Sequence, residues 1–198
     1  MSLLIESIKL LDGEFYNLRF HEQRMRNSLL AVSGVDQPVQ IEWYLRDCIV
    51  PRSGLFKCRI LYDAQSGEAT FSPYRPRNIK AVRVVQGGDI AYPLKYADRS
   101  AIERLFDQRD GCDDVMIIRN GKVTDCSYSN VVFRKGRDWY TSDSPLLEGT
   151  QRAKLLEENK IQAREIQVRD IRSFDGVRII NAMLEFDSPE IEVSDIVF

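Results

Sequence analysis

The sequence predicts an α+β protein with sheet in two lobes. Short apolar or alternating runs of strand length recur along the chain, and amphipathic stretches of helix length stand between them. The segment Pro73-Tyr74-Arg75-Pro76-Arg77 interrupts both patterns, because two prolines suit neither a helix nor a sheet interior. It separates a smaller N-terminal α+β lobe, residues 1–76, from a larger C-terminal lobe, residues 77–198.

In the smaller lobe, Leu3 to Leu11 reads as a strand and Asp12-Gly13-Glu14 as a hairpin turn. His21 to Ala31 reads as a helix, because Met25, Leu29 and Leu30 share one face while Arg24, Arg26 and Asn27 are polar. Ile41 to Val50 reads as a second helix. Phe56 to Tyr62 and Glu68 to Tyr74 form a predicted hairpin that turns near Ala64 to Gly67.

In the larger lobe, Ala81 to Gln86 is a strand, and Gly87-Gly88-Asp89 and Pro93 break the chain before Lys95. Asp98 to Gln108 is a helix with Ile102, Leu105 and Phe106 on one side. Val115 to Ile118 is an apolar strand, and Asn120-Gly121 is a strong hairpin signal. The return strand, Lys122 to Asp125, carries Asp125 into the interior. The run Val131 to Phe133 and Trp139 to Ser142 are further strands, Gly149 to Asn159 a helix, and Gln162 to Val168 and Val177 to Asn181 strands. Internal repeats and low-complexity tracts are absent.

The chain has 198 residues, 43% hydrophobic and 29% charged, with a net charge of -2. That suits a globular protein of one large or two small domains with a substantial core. The near-neutral balance argues against nucleic acid and membrane surfaces as partners. No apolar run approaches the roughly 20 residues that span a bilayer. The start, Met-Ser-Leu-Leu-Ile-Glu, lacks the basic and apolar regions of a signal peptide, which makes the cytoplasm the expected location. Cys48, Cys58, Cys112 and Cys126 show no metal-type spacing and read as free thiols. With His21 the only histidine, no metal site is expected.

The stretch from Thr124 to Arg152 carries the chemistry. Asp125 stands five places before Asn130, a β-type run follows, and Leu146-Leu147-Glu148-Gly149-Thr150 turns into a helix. Upstream, Lys95 lies in Tyr92-Pro93-Leu94-Lys95-Tyr96. An amine, a carboxylate and a helix start are the three groups that hold pyridoxal 5'-phosphate. The amine forms a Schiff base, the carboxylate keeps the pyridine nitrogen protonated, and the helix N-terminus binds the phosphate. Taken singly, each residue has a plain alternative. Lys95 could be a surface lysine, Asp125 an exposed strand-end charge, Arg24 a solvated helix charge, and Ser127 to Asn130 a polar loop. Gly149 could open a routine turn, and Asn181 and Ala182 could merely end a strand. Lys57 and Arg59 alternate on a strand, so both could face one side and one could meet a substrate carboxylate.

The order of these residues resembles that in the class IV aminotransferases, the fold type IV group of pyridoxal-phosphate enzymes. Their pattern is an acid, a small residue two on, an Asn three beyond, an apolar strand, a Thr, then Leu-x-Gly-x-x-Arg. Asp125, Ser127, Asn130, Val131 to Phe133, Thr141, Leu147, Gly149 and Arg152 match it in turn. The family usually has Glu at the first place, so Asp125 is one methylene shorter. Phe20-His21-Glu22-Gln23-Arg24 resembles the family's His-x-x-Arg, and Ile180-Asn181-Ala182-Met183 its second phosphate or substrate turn. The Asn-Ala pair, and Leu94-Lys95 with Arg99 four residues on, are most similar to the 4-amino-4-deoxychorismate lyase branch. The resemblance runs from about Ile5 to Ile191, although family members usually carry an extra strand before the segment matching Leu4 to Lys9, so the chain reads as an N-terminally shortened member.

The resemblance implies a two-lobed, D-amino-acid aminotransferase-like fold in which the larger lobe carries Lys95 as the Schiff-base residue. It implies cofactor contacts from Arg24, Asp125, Ser129, Asn130, Gly149, Thr150, Gln151, Asn181 and Ala182. Lys57, Arg59, Arg99 and Met183 are candidate substrate contacts, and His21 is a structural residue of its turn. The implied reaction yields 4-aminobenzoate and pyruvate, a step toward folate. Amino-acid transamination and a non-catalytic role are the alternatives. A small amino substrate and a homodimer complete the expectation.

Overall fold

The computed structural model describes residues 3–198. The backbone forms two units, Met1–Pro76 with Leu94–Asp98, and Arg77–Pro93 with Arg99–Phe198.

The first unit is built on four antiparallel strands, β1 (Leu4–Leu11), β2 (Glu14–Phe15), β3 (Leu55–Tyr62) and β4 (Gly67–Pro73), in the order β2-β1-β3-β4. The Asp12-Gly13 turn joins β1 to β2 with both residues at positive φ, 50° and 86°, the backbone that matches strand twist in a tight hairpin. Side chains alternate with period two. Leu4, Ile8 and Leu10 therefore share a buried face with Cys58, Ile60 and Tyr62. Helix α1 (Leu18–Ser33) packs Met25 and Leu29 into that cluster. The helix ends where Gly34, at φ 71°, donates its N–H to the Leu30 carbonyl.

Two expectations change in this unit. The second helix spans only Glu42–Leu45, here α2, rather than Ile41 to Val50. None of its residues is buried and Trp43 is 47% exposed, so no packed face supports further turns. Lys95 also belongs to this unit, not to the larger lobe. Ile5 N–H donates to the Lys95 carbonyl at 2.8 Å, Ala97 N–H to the Leu3 carbonyl at 2.8 Å, and Leu4 pairs with Tyr96. Short β2 leaves the first half of β1 without a partner on that side, and residues 94–98 take the place.

The second unit contains β5 (Val82–Gln86), α3 (Ser100–Phe106), β6 (Asp114–Arg119), β7 (Lys122–Cys126), β8 (Asn130–Lys135), β9 (Asp138–Ser142), α4 (Thr150–Glu157), β10 (Gln162–Arg164), β11 (Gly176–Ile180) and β12 (Ile196–Val197). Their sheet runs β10-β9-β8-β7-β6-β5-β12, with β11 also paired to β8. Parallel pairs β5–β6 and β9–β10 are the two that α3 and α4 connect, as crossover geometry requires. Met116, Ile118, Val131, Phe133 and Val177 anchor the core. The Asn120-Gly121 turn between β6 and β7 has both φ angles positive, 52° and 76°.

The predicted strand Gln162 to Val168 stops at Arg164. Its three residues are all exposed, and Val168–Ser173 coils instead into a 3-10 turn fixed by a reciprocal Gln167–Asp170 capping box. The helix expected over Asp98 to Gln108 is α3 followed by a 3-10 turn, Asp107–Arg109. Among the described residues no helix is long and apolar enough to cross a membrane.

Candidate active site

The β6–β7 ladder shifts register between Met116 and Ile118, a bulge that re-aims the side chains opposite it. Thr124 and Asp125 are the two β7 residues that stand against the single residue Ile117 in that bulge, and Asp125 is 5% exposed. Its carboxylate accepts two hydrogen bonds, and a third links their donors. Asn130 Nδ2 donates to Oδ1 at 2.7 Å, Leu147 N–H donates to Oδ2 at 2.9 Å, and Asn130 Nδ2 also reaches the Leu147 carbonyl at 2.9 Å. Burial pushes the Asp125 carboxyl up to about 7, against the lowering effects of the Leu147 and Asn130 hydrogen bonds and the Arg152 charge. The alternative of an exposed strand-end charge is therefore excluded.

Asn130 also ties this carboxylate to the start of α4. Gly149 is the residue before the helix, and a Cβ there would overlap Asn130 Oδ1. Gly149→Ala is expected to cost about 1–3 kcal/mol of stability, the usual effect of forcing atoms into a packed site. Denaturant unfolding checks this, with an unchanged midpoint as the contrary result. Arg152, one turn on, donates from Nη2 to the Ser142 carbonyl at 3.0 Å. Thr150 is buried, and its Oγ1 has no hydrogen-bond partner. Gln151 is buried beside it.

The turn from Ser127 to Ser129 is clamped on several sides. Buried Asp114 accepts from both Ser127 N–H and Ser127 Oγ–H. Arg99 donates from Nη2 to the Ser127 carbonyl at 2.6 Å, and its guanidinium lies 4.4 Å from the Tyr128 ring centre and 5.6 Å from that of Tyr92. Asn181, at the end of β11, donates from Nδ2 to the Tyr128 carbonyl at 3.2 Å and to Ser129 Oγ at 2.9 Å. Its Oδ1 accepts from Met183 and Leu184 N–H, closing the turn that holds Ala182. Asp125, Ser129, Asn130, Gly149, Thr150, Gln151, Asn181 and Ala182 thus belong to three adjoining chain segments of the second unit. Cys126 is buried there too, and burial drives its thiol well above the ordinary range, which rules it out as a nucleophile near neutral pH.

The first unit holds the other candidates. Buried Glu6, which the sequence reading missed, accepts from Arg24 Nε at 2.7 Å, Arg24 Nη2 at 2.6 Å and His21 Nδ1 at 2.7 Å. Burial would raise its carboxyl, but the Arg24 charge and the His21 and Arg24 hydrogen bonds outweigh it and hold the group well below its usual range. Its folded value is below its unfolded one, so its stabilising effect is complete above the ordinary value of 4.5 and lost as pH falls further. Acid unfolding of the protein compared with Glu6→Gln is expected to show that loss in the native chain only. The one sequence sign of Glu6 is an acid at an inward position of β1, between Leu4 and Ile8.

Lys57 and Arg59 do share one face of β3, opposite Cys58 and Ile60. Lys57 stands directly across from Lys9, and Arg59 across from Ser7. Like charges in that position repel, and the Lys9 ammonium lies 4.4 Å from the Tyr16 ring centre.

Fold and site together define a two-lobed, fold type IV protein. A family model described as Amino-transferase class IV matches residues 94–186. An uncharacterized protein of Haemophilus influenzae is 44% identical over 183 residues, 91% of this chain and 97% of its own. A crystal structure from Haemophilus somnus 129PT, of a protein provisionally assigned as 4-amino-4-deoxychorismate lyase, is 40% identical. It has a TM-score of 0.85 and covers 92% of this chain and 97% of the other. The PLP-bound form of a hypothetical aminotransferase from Mycobacterium tuberculosis is 17% identical with a TM-score of 0.78, over 98% of this chain and 81% of that one, and shares the fold. The chain belongs to the class IV aminotransferase family, and it is an enzyme of that family.

Proposed function

We propose that the protein is a pyridoxal 5'-phosphate-dependent lyase that releases 4-aminobenzoate and pyruvate from 4-amino-4-deoxychorismate. The observation that carries the cofactor reading is Asp125, a buried carboxylate poised near neutrality that a protonated ring nitrogen would complement. Thr150 Oγ1, an unsatisfied buried hydroxyl on the first turn of α4, fits a phosphate oxygen, and the helix start adds a favourable dipole.

When bound, pyridoxal 5'-phosphate withdraws electrons from the amine-bearing carbon of the substrate. Lys95 Nζ anchors the cofactor, then takes the proton from that carbon. Asp125 holds the ring nitrogen in its protonated form, and Asn130 keeps Asp125 in place. In the second unit Gly149, Thr150 and Gln151 would hold the phosphate, with Asn181 and Ala182 lining the second turn, and in the first unit Arg24 is the cation suited to a phosphate. The reaction balances as an elimination without an external oxidant: the ring loses a proton and the enolpyruvyl group, becomes aromatic, and the released enol becomes pyruvate. Each product carries a carboxylate, so the substrate presents two. Arg99, Lys57 and Arg59 are the cations suited to them.

The 40% identical relative supports the lyase reading over transamination. The half-buried and buried free thiols support a reducing compartment, and we assign the protein to the cytoplasm as a homodimer. Incubation with cofactor and 4-amino-4-deoxychorismate tests the reaction. Release of 4-aminobenzoate with an equal amount of pyruvate is expected. Amino-group exchange between amino and oxo acids without 4-aminobenzoate would move the assignment to an aminotransferase.

A further inference from the structure

Glu6 is an acid on a strand face that is otherwise apolar. Its neighbours along that face of β1 are Leu4, Ile8 and Leu10, all fully buried. A carboxylate is retained in such a place only when it is fully paired. Both oxygens of Glu6 are in use. Arg24 grips them side-on, Nε to Oε1 and Nη2 to Oε2, and His21 Nδ1 adds a second donor to Oε2.

This arrangement fixes more than charge. The guanidinium is planar, so gripping its Nε–Nη2 edge sets the direction of Nη1. A carboxylate can only accept, so His21 must carry its proton on Nδ1 while in contact with it. His21 Nε2 is then a buried lone pair, and it has no hydrogen-bond partner. The residue next to Glu6 meets Lys95: Ile5 N–H donates to the Lys95 carbonyl at 2.8 Å. Two successive residues of β1 therefore set the main chain of Lys95 and the side chain of Arg24. That coupling joins residues far apart in sequence.

We propose that Glu6 is a positioning residue that fixes the Arg24 guanidinium in the orientation that receives the cofactor phosphate, in register with Lys95. This rests on the function proposed above. An arginine left to itself samples many rotamers, and ordering it on binding would weaken the anion contact. The Glu6 fork orders it beforehand.

The test compares pyridoxal 5'-phosphate with pyridoxal, which lacks the phosphate, in binding to the full chain and to Glu6→Gln, Glu6→Asp and Arg24→Lys. The native chain is expected to prefer the phosphorylated form. Glu6→Gln is expected to reduce that preference by roughly tenfold or more, the scale of a lost charge-assisted contact, while leaving pyridoxal binding unchanged. Glu6→Asp should recover part of it. Arg24→Lys, which keeps the charge but has no fork, should lose it as Glu6→Gln does. Nitrogen-15 shifts of His21 in the cofactor-free protein should change from the Nδ1–H tautomer in the native chain to a mixture in Glu6→Gln.

A merely structural role would lower both affinities together and leave their ratio alone, and an unchanged ratio in folded Glu6→Gln overturns the proposal. Should Glu6→Gln not fold, the ratio in Glu6→Asp decides in the same way. A native chain that binds neither compound defeats the cofactor reading and this proposal with it. A native chain that binds both, with variants of unaltered ratio, defeats this proposal alone.

Discussion

Replacing Lys95 with alanine is expected to abolish covalent attachment of pyridoxal 5'-phosphate and to cut turnover by about 10³-fold or more, since in the proposed reaction one amine serves as both anchor and base. The fold should survive. The 94–98 segment is held to β1 by its main chain, through the Ile5–Lys95 and Leu3–Ala97 hydrogen bonds, and by Leu94 and Tyr96, which pack against the core of the first unit. None of these contacts uses the lysine side chain. Borohydride reduction followed by peptide mapping checks the result: the native protein should carry its label on Lys95 and the variant should carry none. Full turnover in the variant, or native label on another lysine, would remove Lys95 from the chemistry.

Asp125→Asn is the second large effect, with opposite consequences for stability and for activity. Without cofactor, burial raises the Asp125 carboxyl from its ordinary 3.8 to about 7. The folded protein then holds a proton that the unfolded chain releases. Stability from this group is complete below pH 3.8 and declines as pH rises through about 7. Asparagine has no such titration. The difference in unfolding midpoint between native and Asp125→Asn chains is therefore expected to move in favour of the variant between pH 5 and pH 8, as followed by thermal melts without cofactor. Turnover should fall by ~10²–10³-fold, the range seen when one preorganised electrostatic partner is removed. Melting curves that stay parallel across this range would show that Asp125 is ionised throughout and carries no such strain.

The two windows are separable. Glu6 loses its stabilising effect below pH 4.5, whereas the Asp125 contribution declines between about pH 3.8 and pH 7. The paired carboxylate stabilises the fold by being charged and the unpaired one by being neutral. Both are buried, so the difference lies in the partner: a guanidinium fork for Glu6, against neutral amide donors for Asp125, whose burial outweighs the Arg152 charge.

Local features were the legible part of this sequence. Apolar spacing marked the strands of both units and helix α1, because each pattern reports which side of one element faces the core. Asp12-Gly13 and Asn120-Gly121 announced their hairpins, since these residues tolerate the positive φ that a tight turn needs. The segment Asp125 to Gly149 reads as one unit in sequence and is one in space, because β7, β8 and the approach to α4 are neighbours in the chain and in the sheet. The overlong second helix failed for a local pattern without a packed face, and the strand drawn to Val168 ran past an edge strand of three exposed residues.

By itself the sequence determined the α+β class, most elements, the family and the residue types that a pyridoxal-phosphate site needs. The tertiary structure alone decided that Lys95 joins the first unit, that Glu6 grips Arg24, and that Asp125 sits in a bulge with its carboxyl near neutrality. Each of these depends on pairing or burial between residues distant in sequence. Ile5 and Lys95 are 90 positions apart, and Asp125 and Leu147 are 22 positions apart. Periodicity within a window tells which way a side chain faces, but the free edge it will find and the water it will lose are settled only when the chain has closed on itself.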